Sequence, residues 1–152
     1  MKSFFKCVMP MVLYFVSGVS LASPLDEGIE AFTSGDFIKA NSIFESLANA
    51  GNASAEYQLG LRYELGRGVD KNDKAAFRWY QAAAQQELPL ACLHLGRFYE
   101  DGRGVPRDYV KAYKLYAVAA AKASTDANRI SAEKKRDYVL KKMQPMERAR
   151  AR

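Results

Sequence analysis

Histidine, tryptophan and cysteine are scarce in this chain: one His, one Trp and two Cys among 152 residues. Each scarcity excludes something. The lone His94 has no Cys or Asp/Glu pattern around it, so it builds neither a zinc site nor a Ser-His-Asp triad. At a polar position it is expected as a solvated side chain. Gly66-Arg67-Gly68 and Gly102-Arg103-Gly104 lack the strand-turn-helix context of a phosphate-cradling loop. No alternating pattern of apolar and polar residues marks a strand. Neither a metal nor an organic cofactor is expected.

The N-terminus reads as an export signal. Lys2 and Lys6 precede an apolar and small-residue stretch from Val8 to Leu21, which ends in Ser20-Leu21-Ala22. The stretch is shorter than the roughly 20 residues a membrane span needs, and Pro10 and Gly18 interrupt it. Cleavage is expected after Ala22. No Cys stands at that point, so the product is expected to be soluble, with no transmembrane segment. Removing residues 1–22 removes Cys7 and leaves Cys92 alone. No intramolecular disulfide can then form in an oxidising compartment, and stability must come from packing.

Charge is unevenly placed. From Lys122 onward there are ten Lys/Arg against four Asp/Glu, whereas residues 23–121 are slightly acidic. The positive excess therefore belongs to the tail.

An internal repeat organises the middle of the chain. The segment from Ala55 through Leu59-Gly60, Tyr63-Glu64 and Gly66-Arg67-Gly68-Val69 recurs from Ala91 through Leu95-Gly96, Tyr99-Glu100 and Gly102-Arg103-Gly104-Val105. The 36-residue offset continues from Ala76, Tyr80, Ala83 and Ala84 to Ala112, Tyr116, Ala119 and Ala120. Each unit reads as a helical hairpin. Ala55, Leu59 and Tyr63 set an apolar stripe, and Gly60 lets a neighbouring helix approach closely. Gly66 and Gly68 end the first helix with positive φ, and Asn72 or Asp108 caps the second. Ala76, Tyr80, Ala83 and Ala84 form its inner face.

Residues 25–50 form a shorter version: Gly28 and Ala31 in a first helix, Asp36 as cap, and Ala40, Phe44 and Leu47 in a second. Beyond Lys122, Val139, Met143 and Met146 at i, i+4 and i+7 predict a charged helix covering the open end of the stack, with Pro145 starting a last short turn.

The pattern Ala-x-x-x-Leu-Gly-x-x-Tyr-x-x-Gly-x-Gly-Val, followed by Ala-x-x-(Trp/Leu)-Tyr-x-x-Ala-Ala, resembles the Sel-one-like repeat, a cousin of the tetratricopeptide repeat. The Gly-Asp-Phe-x-Lys-Ala turn of the first hairpin is closer to tetratricopeptide spacing. The resemblance implies an all-α fold, a short right-handed α-solenoid of three helical hairpins (25–50, 53–86 and 89–122) with basic capping helices over 124–152, all in one domain spanning 23–152. It also implies an adaptor that holds a partner in a curved groove. By analogy with tetratricopeptide geometry, that groove is lined by Leu25, Ile29 and Phe32, by Tyr57, Leu61 and Glu64, and by Leu93, Arg97 and Glu100. Tyr57 and Leu93 have an alternative role, finishing the core between repeats.

Four further features have competing readings. Ser131-Ala132-Glu133-Lys134 matches the S-x-x-K of penicillin-recognising enzymes, but neither S-D-N nor K-T-G accompanies it, and ordinary helix-surface residues explain it better. Cys92, in the place of Glu56 one repeat earlier, is either a thiol shielded between repeats or an exposed one available for mixed disulfides. Trp79 is expected to pack in the core rather than stack on a ligand. The basic residues Lys134, Lys135, Lys141, Lys142 and Arg148 form a solvated capping face, a dock for an acidic partner, or a contact with an anionic membrane or cell-wall surface.

Together these readings predict a non-catalytic, monomeric, periplasmic adaptor that binds another exported or envelope protein and no nucleic acid. The alternatives are a secreted β-lactamase-like hydrolase and a structural envelope component acting through its basic tail. The export reading has a direct test: N-terminal sequencing of the protein from a periplasmic fraction should begin Ser23-Pro24-Leu25, and a retained Met1 would refute it.

Overall fold

The structure, a computed structural model, describes residues 23–151. The proposed signal, including Lys2, Lys6 and Cys7, lies outside the described residues. Eight helices and no strand occur among those residues: α1 (Pro24–Thr33), α2 (Phe37–Asn49), α3 (Ala53–Leu65), α4 (Asp73–Gln85), α5 (Pro89–Asp101), α6 (Tyr109–Lys122), α7 (Asp126–Lys142) and α8 (Pro145–Ala151). Each helix packs on the next from α1 to α7, and α8 folds back onto α6. The result is a solenoid of antiparallel hairpins closed by a terminal pair. Among the described residues no helix is long and apolar enough to cross a membrane.

Helix ends are set locally. Asp36, Asn52, Asn72 and Asp108 each accept a hydrogen bond at 3.0 Å from the backbone N–H three residues on, satisfying a donor that the first helical turn leaves free. Pro24 and Pro89 open α1 and α5, where a missing N–H costs nothing. Gly66 and Gly102 close α3 and α5 in the left-handed conformation, at φ 67° and 71°.

The hairpins close on a recurring contact. A Cβ built on Gly60 would lie 2.6 Å from the Tyr80 ring, and one on Gly96 would lie 2.6 Å from the Tyr116 ring. Gly28 has the same relation to Phe44, at 2.9 Å. Each ring therefore lies flat on the backbone of the partner helix, where only glycine leaves room. Buried alanines fill the remaining space: Ala40 in the first hairpin, Ala55, Ala76 and Ala83 in the second, and Ala112 in the third. Gly68 and Gly104 contribute between repeats. Gly68 approaches Phe37 and Asn41 of α2, and its carbonyl accepts from Asn41 Nδ2 at 2.9 Å. Gly104 abuts the backbone of Asp73.

Three expectations about packing change. Tyr63 is only half-buried, and the side chain that α3 buries at this level is Arg62, 2% exposed. The stripe follows the i+7 row from Ala55 rather than i+8. Met146 is 73% exposed rather than part of the closing stripe, because α7 ends at Met143 in an extended conformation and α8 restarts at Pro145, which breaks the register. Val139, Met143 and Ala151 cover the end of the core instead. Trp79 is half-buried: it packs against the first-hairpin core while bordering a surface depression with Tyr63, Ala75, Arg78 and Ala82.

These contacts predict unequal glycine substitutions. Gly35 (φ 87°) has nothing near its missing Cβ, whereas Gly68 (φ 75°) would meet Phe37 at 2.6 Å. Gly35→Ala should cost about 1–2 kcal/mol from the left-handed backbone, and Gly68→Ala about 1–3 kcal/mol more from forced repacking. Equal losses in urea unfolding would show that Gly68 has no packing role.

Candidate partner-binding face

The nine residues expected to line a groove lie on the first helices of the three hairpins: Leu25, Ile29 and Phe32 on α1, Tyr57, Leu61 and Glu64 on α3, Leu93, Arg97 and Glu100 on α5. Ile29 is 39% exposed, and Leu25, Phe32 and Leu61 are half-buried. Leu93 packs against the cluster around Cys92, Ala119 and Ala132.

Glu64, expected as an accessible groove charge, is instead buried at 6% exposure. It is the centre of a network. Tyr80 donates its hydroxyl to it at 2.7 Å, His94 Nδ1 lies 3.2 Å away, Arg103 donates at 2.8 Å, and Arg97 pairs with it directly. Since a carboxylate only accepts, Nδ1 of His94 carries the proton. In the neutral ring Nε2 then faces the Tyr57 hydroxyl as acceptor, at 3.4 Å. Burial alone would raise the Glu64 carboxyl. The hydrogen bonds from His94, Tyr80 and Arg103, with the Arg97 charge, outweigh it and hold the group far below its ordinary value. His94 is thus a half-buried strut between α3 and α5, not the solvated residue expected. The next repeat has only part of this arrangement: Tyr116 donates to Glu100, which stays half-buried.

Arg103 extends the network. Its guanidinium lies 4.5 Å from the Phe98 ring centroid and forms a two-pronged pair with Asp73, at 2.6 and 3.2 Å. Arg103, Asp73 and His94 were not picked out as site residues. The Tyr and Glu that anchor the network do recur at the 36-residue offset, and that signal was available.

The profile described as Sel1 repeat matches residues 53–88 and 89–124, the α3–α4 and α5–α6 hairpins. Residues 53–124 of the chain are two Sel1-like repeats. The chain superposes on a protective antigen present in uropathogenic Escherichia coli strains, described as displaying an SLR fold, with a TM-score of 0.76 and 28% identity. That match covers 84% of this chain and 27% of the antigen. A Sel1 repeat protein from Oxalobacter formigenes superposes with a TM-score of 0.67 and 32% identity, over 76% of this chain and 46% of that one. Over 40 residues the chain is 48% identical to a chitin synthase regulator of Saccharomyces cerevisiae, which is 26% of this chain and 6% of the regulator. The chain thus spans less than half the length of each of these relatives. Sel1 repeats build protein-interaction scaffolds.

The remaining candidates fall in ordinary surroundings. Cys92 is 1% exposed, and burial raises its thiol to about 11, so it packs as a small apolar residue. Glu56, its counterpart, is also buried and accepts from Gln86 at 3.0 Å. Ser131 and Lys134 lie on α7, with Lys134 exposed. Lys141 and Lys142 occupy the last turn of α7, where positive charge suits the helix dipole. Arg148 donates to the carbonyls of Met143 and Lys141 and so closes that helix end. Lys135 reaches over the Tyr116 ring at 5.8 Å. Among the described residues no three His, Cys, Asp or Glu side chains are grouped to hold a metal ion.

The depressed Glu64 carboxyl makes a pH prediction. Its contribution is complete above the ordinary value of 4.5 and is lost as pH falls below it toward the folded-state value. Glu64→Gln should therefore lower stability by about 2–3 kcal/mol at pH 7, and the gap to the parent should shrink steadily below pH 4.5. A gap equal at pH 7 and pH 3 in urea titrations would contradict this.

Proposed function

We propose that this protein is an exported adaptor of the bacterial envelope, with no catalytic activity of its own, that holds another protein against the face formed by its first helices. The observation that carries the reading is the division of that face. Two of its three charged members are consumed internally: Glu64 and Arg97 neutralise one another within a network that stiffens the α3–α5 junction. Its apolar members Leu25, Ile29, Phe32 and Leu61 keep part of their surface open. A rigid scaffold presenting apolar side chains suits a partner helix or extended segment, because little ordering entropy is lost on its side.

Residues 1–22 support export, and likeness to a protein described as a protective antigen of a bacterium supports the envelope setting. The basic tail is assigned a closing role, since Arg148 donates to carbonyls at the end of α7 and the last-turn lysines place positive charge where the helix dipole favours it.

Crosslinking capture from intact envelopes tests the reading. Ile29→Ala with Leu61→Ala should reduce partner recovery about tenfold or more, as loss of two central apolar contacts would, with little change in melting temperature. Lys141→Gln with Lys142→Gln should have a small effect that vanishes at high salt. Recovery that survives the first pair but collapses with the second would make the tail the docking surface.

A further inference from the structure

Two successive junctions between first helices are built alike but charged differently. At the α3–α5 junction, Arg103 packs on Phe98 and is neutralised by Glu64 and Asp73 of the preceding hairpin. One repeat earlier the counterpart of Arg103 is Arg67, and that of Phe98 is a second arginine, Arg62. Aligning Gly28 with Gly60 and Ala40 with Ala76 puts Phe32 in the place of Glu64 and Phe37 in the place of Asp73. Both carboxylates have become phenylalanine, and the two rings lie 5.3 Å apart.

The α1–α3 junction therefore contains two cations, and neither has a carboxylate partner among the described residues. Arg62 is 2% exposed and is held between the Phe32 and Phe44 rings, with its guanidinium carbon 4.3 and 4.2 Å from their centroids. Its Nη1 donates to the Gln58 carbonyl at 3.1 Å, while Nε and Nη2 are buried without a hydrogen-bond partner. Burial and then the Arg67 charge bring it down to about 10, so it stays charged at neutral pH. Phe98 shows that an apolar ring fills this position in the same fold, so packing does not require an arginine. A buried charge left unpaired is costly unless something supplies the counter-charge. Arg62 also borders a small pocket of about 60 Å³ with Phe32, Gln58, Leu61, Leu65 and Arg67.

We propose that this pocket is a receptor for an acidic side chain of the partner protein, whose carboxylate takes at Arg62 and Arg67 the place that Glu64 takes at Arg103. The volume suits a carboxylate and its first methylenes, with Leu61 and the 53%-exposed Leu65 meeting the neighbouring apolar atoms. The inference deepens the adaptor reading by naming the chemistry of one docking point. Its test uses an isolated small molecule, so its failure is distinguishable from a failure of partner capture.

The probe is N-acetylglutamate α-amide, titrated into ¹⁵N-labelled protein while the arginine Nε–H and backbone amide signals are followed, with the glutamine counterpart and matched sodium chloride as controls. Glutamate should shift the Arg62 Nε–H and the Leu61 and Leu65 amides saturably, about tenfold more tightly than glutamine, as one charge-assisted hydrogen bond would provide. Arg67→Gln, at an exposed position, should weaken the response, and Arg62→Met should remove it from Leu61 and Leu65. If Arg62→Met does not fold, the Arg67→Gln comparison alone decides. Equal binding of glutamine, shifts no larger than those from chloride, or an undiminished response in Arg67→Gln would overturn the proposal. Tighter binding of N-acetylleucine, a free α-carboxylate, would overturn the assignment to an acidic side chain.

Discussion

An aromatic ring lying on a glycine is the contact on which the rest of this solenoid depends. Tyr80 on Gly60 and Tyr116 on Gly96 set how closely the two helices of a hairpin approach. The same placement aims each hydroxyl at a carboxylate four residues beyond the glycine, Glu64 or Glu100. Packing and polar satisfaction are thus one geometric event. A buried carboxylate is tolerable only when several donors converge on it. Glu64 has donors from α4, from α5 and from the turn after α5, so satisfying it also fixes the α3–α5 junction.

Near-identical repeats need not build identical junctions. Where the preceding hairpin contributes Glu64 and Asp73, Arg103 is neutralised internally. Where the preceding hairpin contributes Phe32 and Phe37, the arginines are packed but not paired. A scaffold that repeats its backbone can in this way place one self-satisfied junction beside one that calls for an outside group. The Sel1 repeats supply the shape, and the atypical first hairpin supplies the difference.

Much of the architecture was legible because it is written in local rules. The caps at Asp36, Asn72 and Asp108, the left-handed Gly66 and Gly102, and the buried Ala-Tyr faces of α4 and α6 all follow from side chains acting within a few residues of themselves. Residues whose environment is made by another hairpin were harder to read. His94 looked like a solvated polar residue because its partners, Glu64 and Tyr57, lie 30 and 37 positions away. Glu64 looked like a surface charge for the same reason. Met146 followed the helical period, but the break at Met143 is set by how α8 turns back onto α6.

By itself, then, the sequence determined the repeat, its helices and their ends, since period, glycine conformation and capping are short-range properties of the chain. Only the tertiary structure decided which charges are spent inside and which are left over. Arg67 and Arg103 each sit in a Gly-Arg-Gly-Val turn, and nothing near either of them in the chain tells them apart. What separates them is the hairpin stacked before each: one brings carboxylates, the other brings rings. Electrostatic pairing and burial depend on distances that exist only after stacking, so this distinction, on which the candidate site rests, could not be read along the chain.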